Sequence, residues 1–232
     1  MIHYFIWKNV DSRVMFIRVP NRVPVIRPEE RVEHVTIPGR PGELTITEGD
    51  DIYQSYIQTV TVTVVGNTHV RDAEEWLRGE GFITFDTQPD LKQKARIIGA
   101  LTFEKHSKNL DYWHADVQFY CEPLKRMRTD PAAIVLDESG ETVTNPSVLT
   151  AKPKIAISGS GAVTVSAGGK TLTIPSCVDG WVIDSENEWI LQNGVPQIGA
   201  CSGSFPVLAP GDNTVLFTGA TGLTVTPEWR FI

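Results

Sequence analysis

Apolar and polar residues alternate with a period of two through much of this chain, which predicts short β-strands. Tyr56–Val65 is the clearest case: Val60, Val62 and Val64 share one face, and Thr59, Thr61 and Thr63 share the other. Tyr112–Cys121 repeats the pattern. There Trp113, Ala115, Val117, Phe119 and Cys121 alternate with Tyr112, His114, Asp116, Gln118 and Tyr120, which places the Cys121 thiol in the core. Phe82–Phe85 and Arg96–Phe103 read as further strands. The period turns helical once. Ala73, Trp76 and Leu77 stand at i, i+3 and i+4 and predict a helix over about 71–79, capped by Asp72 with Glu75 three residues on and ended by Gly79 and Gly81.

Ahead of these elements, Arg13, Arg18, Arg22, Arg27 and Arg31 are interspersed with Pro20, Pro24 and Pro28. Proline has no N–H for a ladder, so this stretch predicts an edge strand or an irregular arm, not central sheet. Ile37-Pro38-Gly39-Arg40-Pro41-Gly42-Glu43-Leu44 follows as a turn-rich loop.

The second half predicts many short strands: Ala132–Leu136, Glu141–Thr144, Lys154–Ser158, Ala162–Ser166, Lys170–Ile174, Trp181–Asp184, Glu188–Leu191, Phe205–Leu208, Thr214–Thr218 and Leu223–Phe231. Ser139-Gly140, Gly168-Gly169 and Pro210-Gly211 mark turns between them. That spacing is typical of a sandwich or jelly roll. Basic residues cluster at Lys125, Arg126 and Arg128 before Pro131, placing a domain boundary near 130 and dividing the chain into 1–130 and 131–232.

Composition narrows the function. With 41% hydrophobic and 21% charged residues in 232, the chain can bury a core unaided. A net charge of −7 argues against a protein that grips nucleic acid by displacing counterions. No apolar run is long enough for a membrane helix, so no membrane insertion is expected. Three cysteines without a C-x-x-C pair suggest reduced thiols made in a cytosol.

Catalytic motifs fail on context. Gly169-Lys170-Thr171 resembles the end of a phosphate loop, but Thr164 stands where the earlier glycine belongs, and strands flank it. Gly199-Ala200-Cys201-Ser202-Gly203 has the spacing of a nucleophile elbow, yet no helix follows, and all five histidines (3, 34, 69, 106 and 114) lie in the first half. Asp184, Glu186 and Glu188 could face one way in an extended loop, but Trp189 occupies the position where a calcium loop needs glycine. The expectation is no enzyme, no cofactor and no metal. Trp181, Trp189, Phe205, Phe217, Trp229 and Phe231 read as core residues first and as a sugar platform second.

One ordered string carries a resemblance. It runs through Asn145-Pro146, Lys152-Pro153-Lys154-Ile155-Ala156-Ile157, Gly159-Ser160-Gly161, Ile183-Asp184-Ser185-Glu186, Gly203-Ser204-Phe205-Pro206-Val207-Leu208, Pro210-Gly211-Asp212-Asn213-Thr214 and Pro227-Glu228-Trp229-Arg230-Phe231. In this order it resembles the galectin-like C-terminal β-sandwich of siphophage distal tail proteins. Pro38-Gly39-Arg40-Pro41-Gly42-Glu43-Leu44 and the helix around Trp76 resemble their ring-forming N-terminal domain. The resemblance implies a mainly β protein: a sandwich- or barrel-like first domain with one helix, then a galectin-like antiparallel sandwich. It implies a structural role at the tail tip of a phage or prophage virion, made in the bacterial host cytoplasm. There a homo-hexameric hub ring joins the tail tube protein to the tail-tip protein and host-adsorption apparatus, with receptor-binding protein as a further partner. Pro38, Gly39, Arg40, Pro41 and Gly42 are the expected subunit-interface residues, on an arm that meets a neighbour's sheet edge. The galectin sugar pattern is missing, since the second half has no histidine. The alternative is a carbohydrate-binding module that attaches to host surface saccharide.

Overall fold

A computed structural model describes residues 3–47, 49, 51–107, 110–197 and 199–232. Among these residues the chain is mainly β with one short α-helix, as the alternation predicts. It divides into two compact units, Met1–Arg128 and Thr129–Phe231.

The strands of the first unit are β1 (Phe5–Trp7), β2 (Val10–Asp11), β3 (Ile17–Arg18), β4 (Val32–Thr36), β5 (Glu43–Thr47), β6 (Tyr56–Val65), β7 (Glu80–Phe85), β8 (Leu91–Ile98), β9 (Glu104–Ser107) and β10 (Leu110–Met127). One antiparallel sheet runs β2-β1-β7-β8-β10-β6-β3, with β9 also on β10. A bridge between His3 and Val19 brings the end of β3 back beside β1, so the sheet curls round on itself. The residues that alternation assigns inward fill the space enclosed: Val60, Val62, Val64, Val117, Phe119 and Cys121 are all buried. Phe119 is the hub of an aromatic cluster, with ring centroids 5.6 Å from Phe5, 5.4 Å from Trp7 and 6.3 Å from Phe85, all edge-on.

Helix α1 (Val70–Trp76) lays the anticipated stripe on this core: Ala73 is buried and Trp76 stacks on Phe5 at 5.7 Å. Its start differs from expectation. A 3₁₀ turn over Asn67–His69 leads in, His69 is the N-cap, and no side chain caps the helix. Asp72 lies inside the first turn, where a carboxylate acts through the helix dipole and not as a cap.

Two strands depart from their expected limits. β10 continues past Cys121 through Pro123, and its register with β8 shifts between Cys121 and Lys125. Proline cannot donate to the ladder, so a bulge absorbs it and pairing resumes. The stretch read as a strand over Arg96–Phe103 ends as β8 at Ile98, because Gly99 turns the chain at φ 76°. Leu101 and Phe103 still pack on the core, but from a loop.

In the second unit the strands are β11 (Ile134–Leu136), β12 (Thr142–Asn145), β13 (Lys154–Ser158), β14 (Gly161–Ala167), β15 (Lys170–Cys177), β16 (Val182–Asp184), β17 (Trp189–Gln192), β18 (Val195–Pro196), β19 (Ser202–Gly203), β20 (Gly211–Thr214), β21 (Leu216–Thr218) and β22 (Gly222–Thr226). One sheet runs β11-β22-β13-β16-β17-β18 and a second runs β19-β15-β14-β21, with β12 paired to β20. Leu136, Ile155, Ile157, Ile183 and Ile190 from the first sheet and Val163, Val165, Leu172 and Ile174 from the second are buried. Phe205–Leu208 is not a strand: Leu208 is buried but makes only an isolated bridge to Ala151. The final strand stops at Thr226, where Pro227 ends the ladder. Gly168 and Gly169 join β14 to β15 with φ of 57° and 73°, the left-handed pair that a type I′ hairpin turn requires. The apparent phosphate-loop ending at Gly169-Lys170-Thr171 is therefore a hairpin.

Candidate assembly surface

The Arg- and Pro-rich stretch has three structural fates, where sequence suggested one. Its first part is core: Ile17, Val19 and Val23 are each at most 3% exposed, because β3 pairs with β6 and Val19 bridges His3. Pro20–Arg31 then runs without a named strand. Finally a ladder begins with a Glu30–Tyr53 bridge, supported by Arg31 N–H to Ile52 O at 2.9 Å and Gln54 N–H to Glu29 O at 2.8 Å. It continues as β4 and β5, paired from Val32↔Thr47 to Thr36↔Glu43. Among the described residues this hairpin pairs with no other strand. At about 3.3 Å per residue it forms an arm roughly 20 Å long.

The arm tip holds all five expected interface residues. Arg40 N–H donates to Ile37 O at 3.1 Å, with Pro38 and Gly39 between them. Proline second and glycine third, the latter at φ 82°, make a type II turn. Gly42 repeats φ 82° after Pro41. Neither glycine has another atom near its missing Cβ, so it is conformation and not space that demands glycine at both positions. Pro38, Gly39, Arg40, Pro41 and Gly42 are all exposed.

Directly opposed residues in an antiparallel pair share a face, so the register sorts the arm into two sides. One carries Val32, His34, Thr36, Glu43, Thr45 and Thr47; His34 Nδ1 lies 3.3 Å from Thr45 Oγ1 and 3.7 Å from Glu43 Oε2. The other carries Val35, Leu44 and Ile46 with Glu33. On this apolar side Leu44 is 38% and Ile46 43% exposed. A two-stranded hairpin is marginal in water without a surface to pack on. Burying the exposed remainder of these two side chains against a partner is worth about 0.5–1 kcal/mol each. At the arm base a groove of about 600 Å³ is lined by residues including Arg31, Glu33, Tyr53 and Tyr120. The Tyr53 phenol is held above its ordinary range by burial and by Asp51 and Glu30.

Of the three carboxylates considered for a metal, Asp184 and Glu186 are engaged in contacts within the chain. Asp184 is buried; its carboxylate accepts the Glu186 and Asn187 backbone N–H groups at 3.1 Å each and Asn187 Nδ2 at 3.0 Å, with Lys154 Nζ at 3.3 Å. Burial opposes ionisation, but the Asn187 and Lys154 contacts outweigh it and hold the carboxyl below its ordinary range. Glu186 pairs with Arg230. No metal-holding cluster occurs among the described residues. Strand β19, not a helix, follows Cys201, and burial raises all three thiols, Cys121 to about 11. Protonated thiols are poor nucleophiles.

Sequence reasoning found the arm tip but missed its hairpin. The signal was present, since Leu44-Thr45-Ile46-Thr47 alternates directly after two Pro-Gly turns.

Over its whole length the chain is similar to the crystal structure of the SPP1 Dit (gp 19.1) protein, described as a paradigm of the hub adsorption apparatus in phages infecting Gram-positive bacteria. The TM-score is 0.77 at 19% sequence identity, with 100% of each chain covered. No family model and no curated protein matches the sequence.

Proposed function

We propose that this chain is a structural component of a phage or prophage tail tip, assembling as a hexameric hub ring between the tail tube and the tail-tip, host-adsorption apparatus. Its work is mutual grip, with no bond made or broken. The observation that carries this reading is the arm: an exposed two-stranded element with a bare apolar side, on a chain whose full-length fold is that of a phage hub protein. In this reading residues 1–130 form the ring and 131–232 form a galectin-like domain on which a receptor-binding protein docks. Tube and tip proteins bind above and below. Heterologous contacts close into rings when one patch meets a different patch on the next copy.

The test must spare the core. Removing all of 13–41 deletes buried Ile17, Val19 and Val23, and so tests folding instead of assembly. Replacing 33–46 with Asn-Gly joins Val32 to its opposed partner Thr47 through a two-residue turn. That variant should melt like the parent and fail to form multimers in native mass spectrometry or to complete tails. Normal assembly without the arm refutes the reading.

A second reading rests on Trp189, which is 51% exposed, while Trp181 and Trp229 are buried. Trp189 opposes Asp184 across the ladder, beside Lys154. An exposed indole next to charged groups could stack a sugar ring, making the second unit a saccharide-binding module. Glycan-array binding that Trp189→Ala abolishes supports it; silence of the parent protein on such arrays removes it.

A further inference from the structure

We infer that Asn193 is a self-modification site, whose side chain condenses with the Gly194 backbone and leaves aspartate or isoaspartate in place of the amide. This inference is independent of the hub reading. Asn193 and Gly194 alone join β17 to β18, with Gln192 opposed to Val195. Their φ values of 48° and 79° are both left-handed, as a type I′ turn requires. The turn selects Asn-Gly for its backbone, and the same pair is prone to cyclise, because glycine has no side chain to shield its nitrogen. It is the only Asn-Gly in the sequence. Both residues are exposed. A Cβ on Gly194 would meet nothing within 4 Å, so its nitrogen is open to approach. Neither the Asn193 side chain nor the Gly194 N–H has a hydrogen-bond partner among the described residues.

Asp179-Gly180 offers the same chemistry, and there the fold guards it. The Asp179 carboxylate accepts the Gly159 N–H at 2.8 Å, and the Gly180 N–H donates to Ile157 O at 3.1 Å. Electrophile and nucleophile are each held by another group, whereas at Asn193 both are free. The step there needs only water. The Gly194 nitrogen bonds to Asn193 Cγ and gives up its proton, the Cγ–Nδ2 bond breaks, and Nδ2 leaves as ammonia. Water then opens the succinimide. Opening at Cγ gives aspartate, and opening at the backbone carbonyl gives isoaspartate, with the main chain rerouted through Cγ. That route is longer by a methylene, so Val195 and Pro196 lose register with Gln192 and Leu191. Ring closure pulls Asn193 out of its left-handed turn, so the rate follows how often the turn opens. β18 is a strand of two residues at the end of its sheet, where opening costs least. Either product adds a negative charge to the hairpin that carries the exposed Trp189.

The test ages the full chain at mildly alkaline pH, folded and unfolded in guanidinium, and follows residues 193 and 179 by peptide mapping with enzymatic isoaspartate detection. Dividing each folded rate by its unfolded rate removes the intrinsic difference between asparagine and aspartate. That ratio should be about tenfold or more higher at Asn193 than at Asp179, the contrast between an edge that opens locally and a site held by two hydrogen bonds. In the aged protein, hydrogen exchange should lose protection at Val195 and at Gln197, whose N–H donates to Ile190 O at 2.8 Å. Asn193→Gly keeps the turn, since Gly-Gly also suits type I′, and should abolish the product at 193 with melting close to the parent. If the folded chain yields no product at 193 while the unfolded chain does, the turn protects the amide and the inference is wrong. Equal ratios at 193 and 179 also overturn it, because the hydrogen bonds around Asp179 would then decide nothing.

Discussion

Phe119→Ala is expected to destabilise the first unit by about 3–5 kcal/mol. Phe119 is fully buried and supports three other rings, Phe5, Trp7 and Phe85, so its removal leaves a cavity whose aromatic walls cannot all collapse inward. It also sits where β10 is paired on both sides, opposite Gln58 and Ile97, which limits backbone relaxation. Domains of this size are stable by about 5–15 kcal/mol, so the loss consumes much of the margin. Urea unfolding followed by tryptophan fluorescence should show the early transition shifted. The transition from the Thr129–Phe231 unit should hold, since no residue of that unit belongs to this core. A loss below about 1 kcal/mol contradicts the assignment of Phe119 as the centre of the packing.

Alkaline conditions should weaken the same unit through Cys121. Burial pushes its thiol from 9.0 up to about 11. The folded state therefore favours the protonated form. Its contribution is complete below pH 9 and is lost as pH rises through 11. Over that window the loss is roughly 2–3 kcal/mol. Tyr56, raised by burial to about 12, extends the loss to higher pH. Lys125 acts oppositely: burial lowers its pKa, so the penalty for its charge eases as pH climbs. Stability measured at pH 8 and pH 11 should fall for the parent and fall distinctly less for Cys121→Ala. Equal slopes for both proteins rule out the thiol as the titrating group.

How much of this could be read from the letters depends on where the controlling interaction lies. β6 and β10 are legible because the valine–threonine alternation over 59–64 and the alternation over 112–121 place their valines and Phe119 inward without reference to any other segment. Strands of two residues, such as β2, β18 and β19, are too short to carry a period. Leu101 and Phe103 look like strand because they are apolar, and they are core residues, but Gly99 has already turned them out of the sheet. The tip at Pro38–Gly42 is visible because proline and glycine act locally. The apolar side of the arm is not, since only the cross-strand register brings Val35 beside Leu44. Nothing in the sequence marks Phe16 for a left-handed backbone; that conformation is imposed by its hydrogen bonds to Arg13 and Val65.

Strand β10 joins β6, β8 and β9, and it is also the last strand of its unit to leave the ribosome. Until about residue 127 has emerged, the nascent chain holds open edges on β6 and β8 that nothing upstream can satisfy. Such long-range pairing is slow to form and exposed to misassociation. Synthesis therefore presents the amphipathic hairpin at residues 32–47 to the cell before its own body is complete, and chaperone capture during translation is expected to centre on that interval.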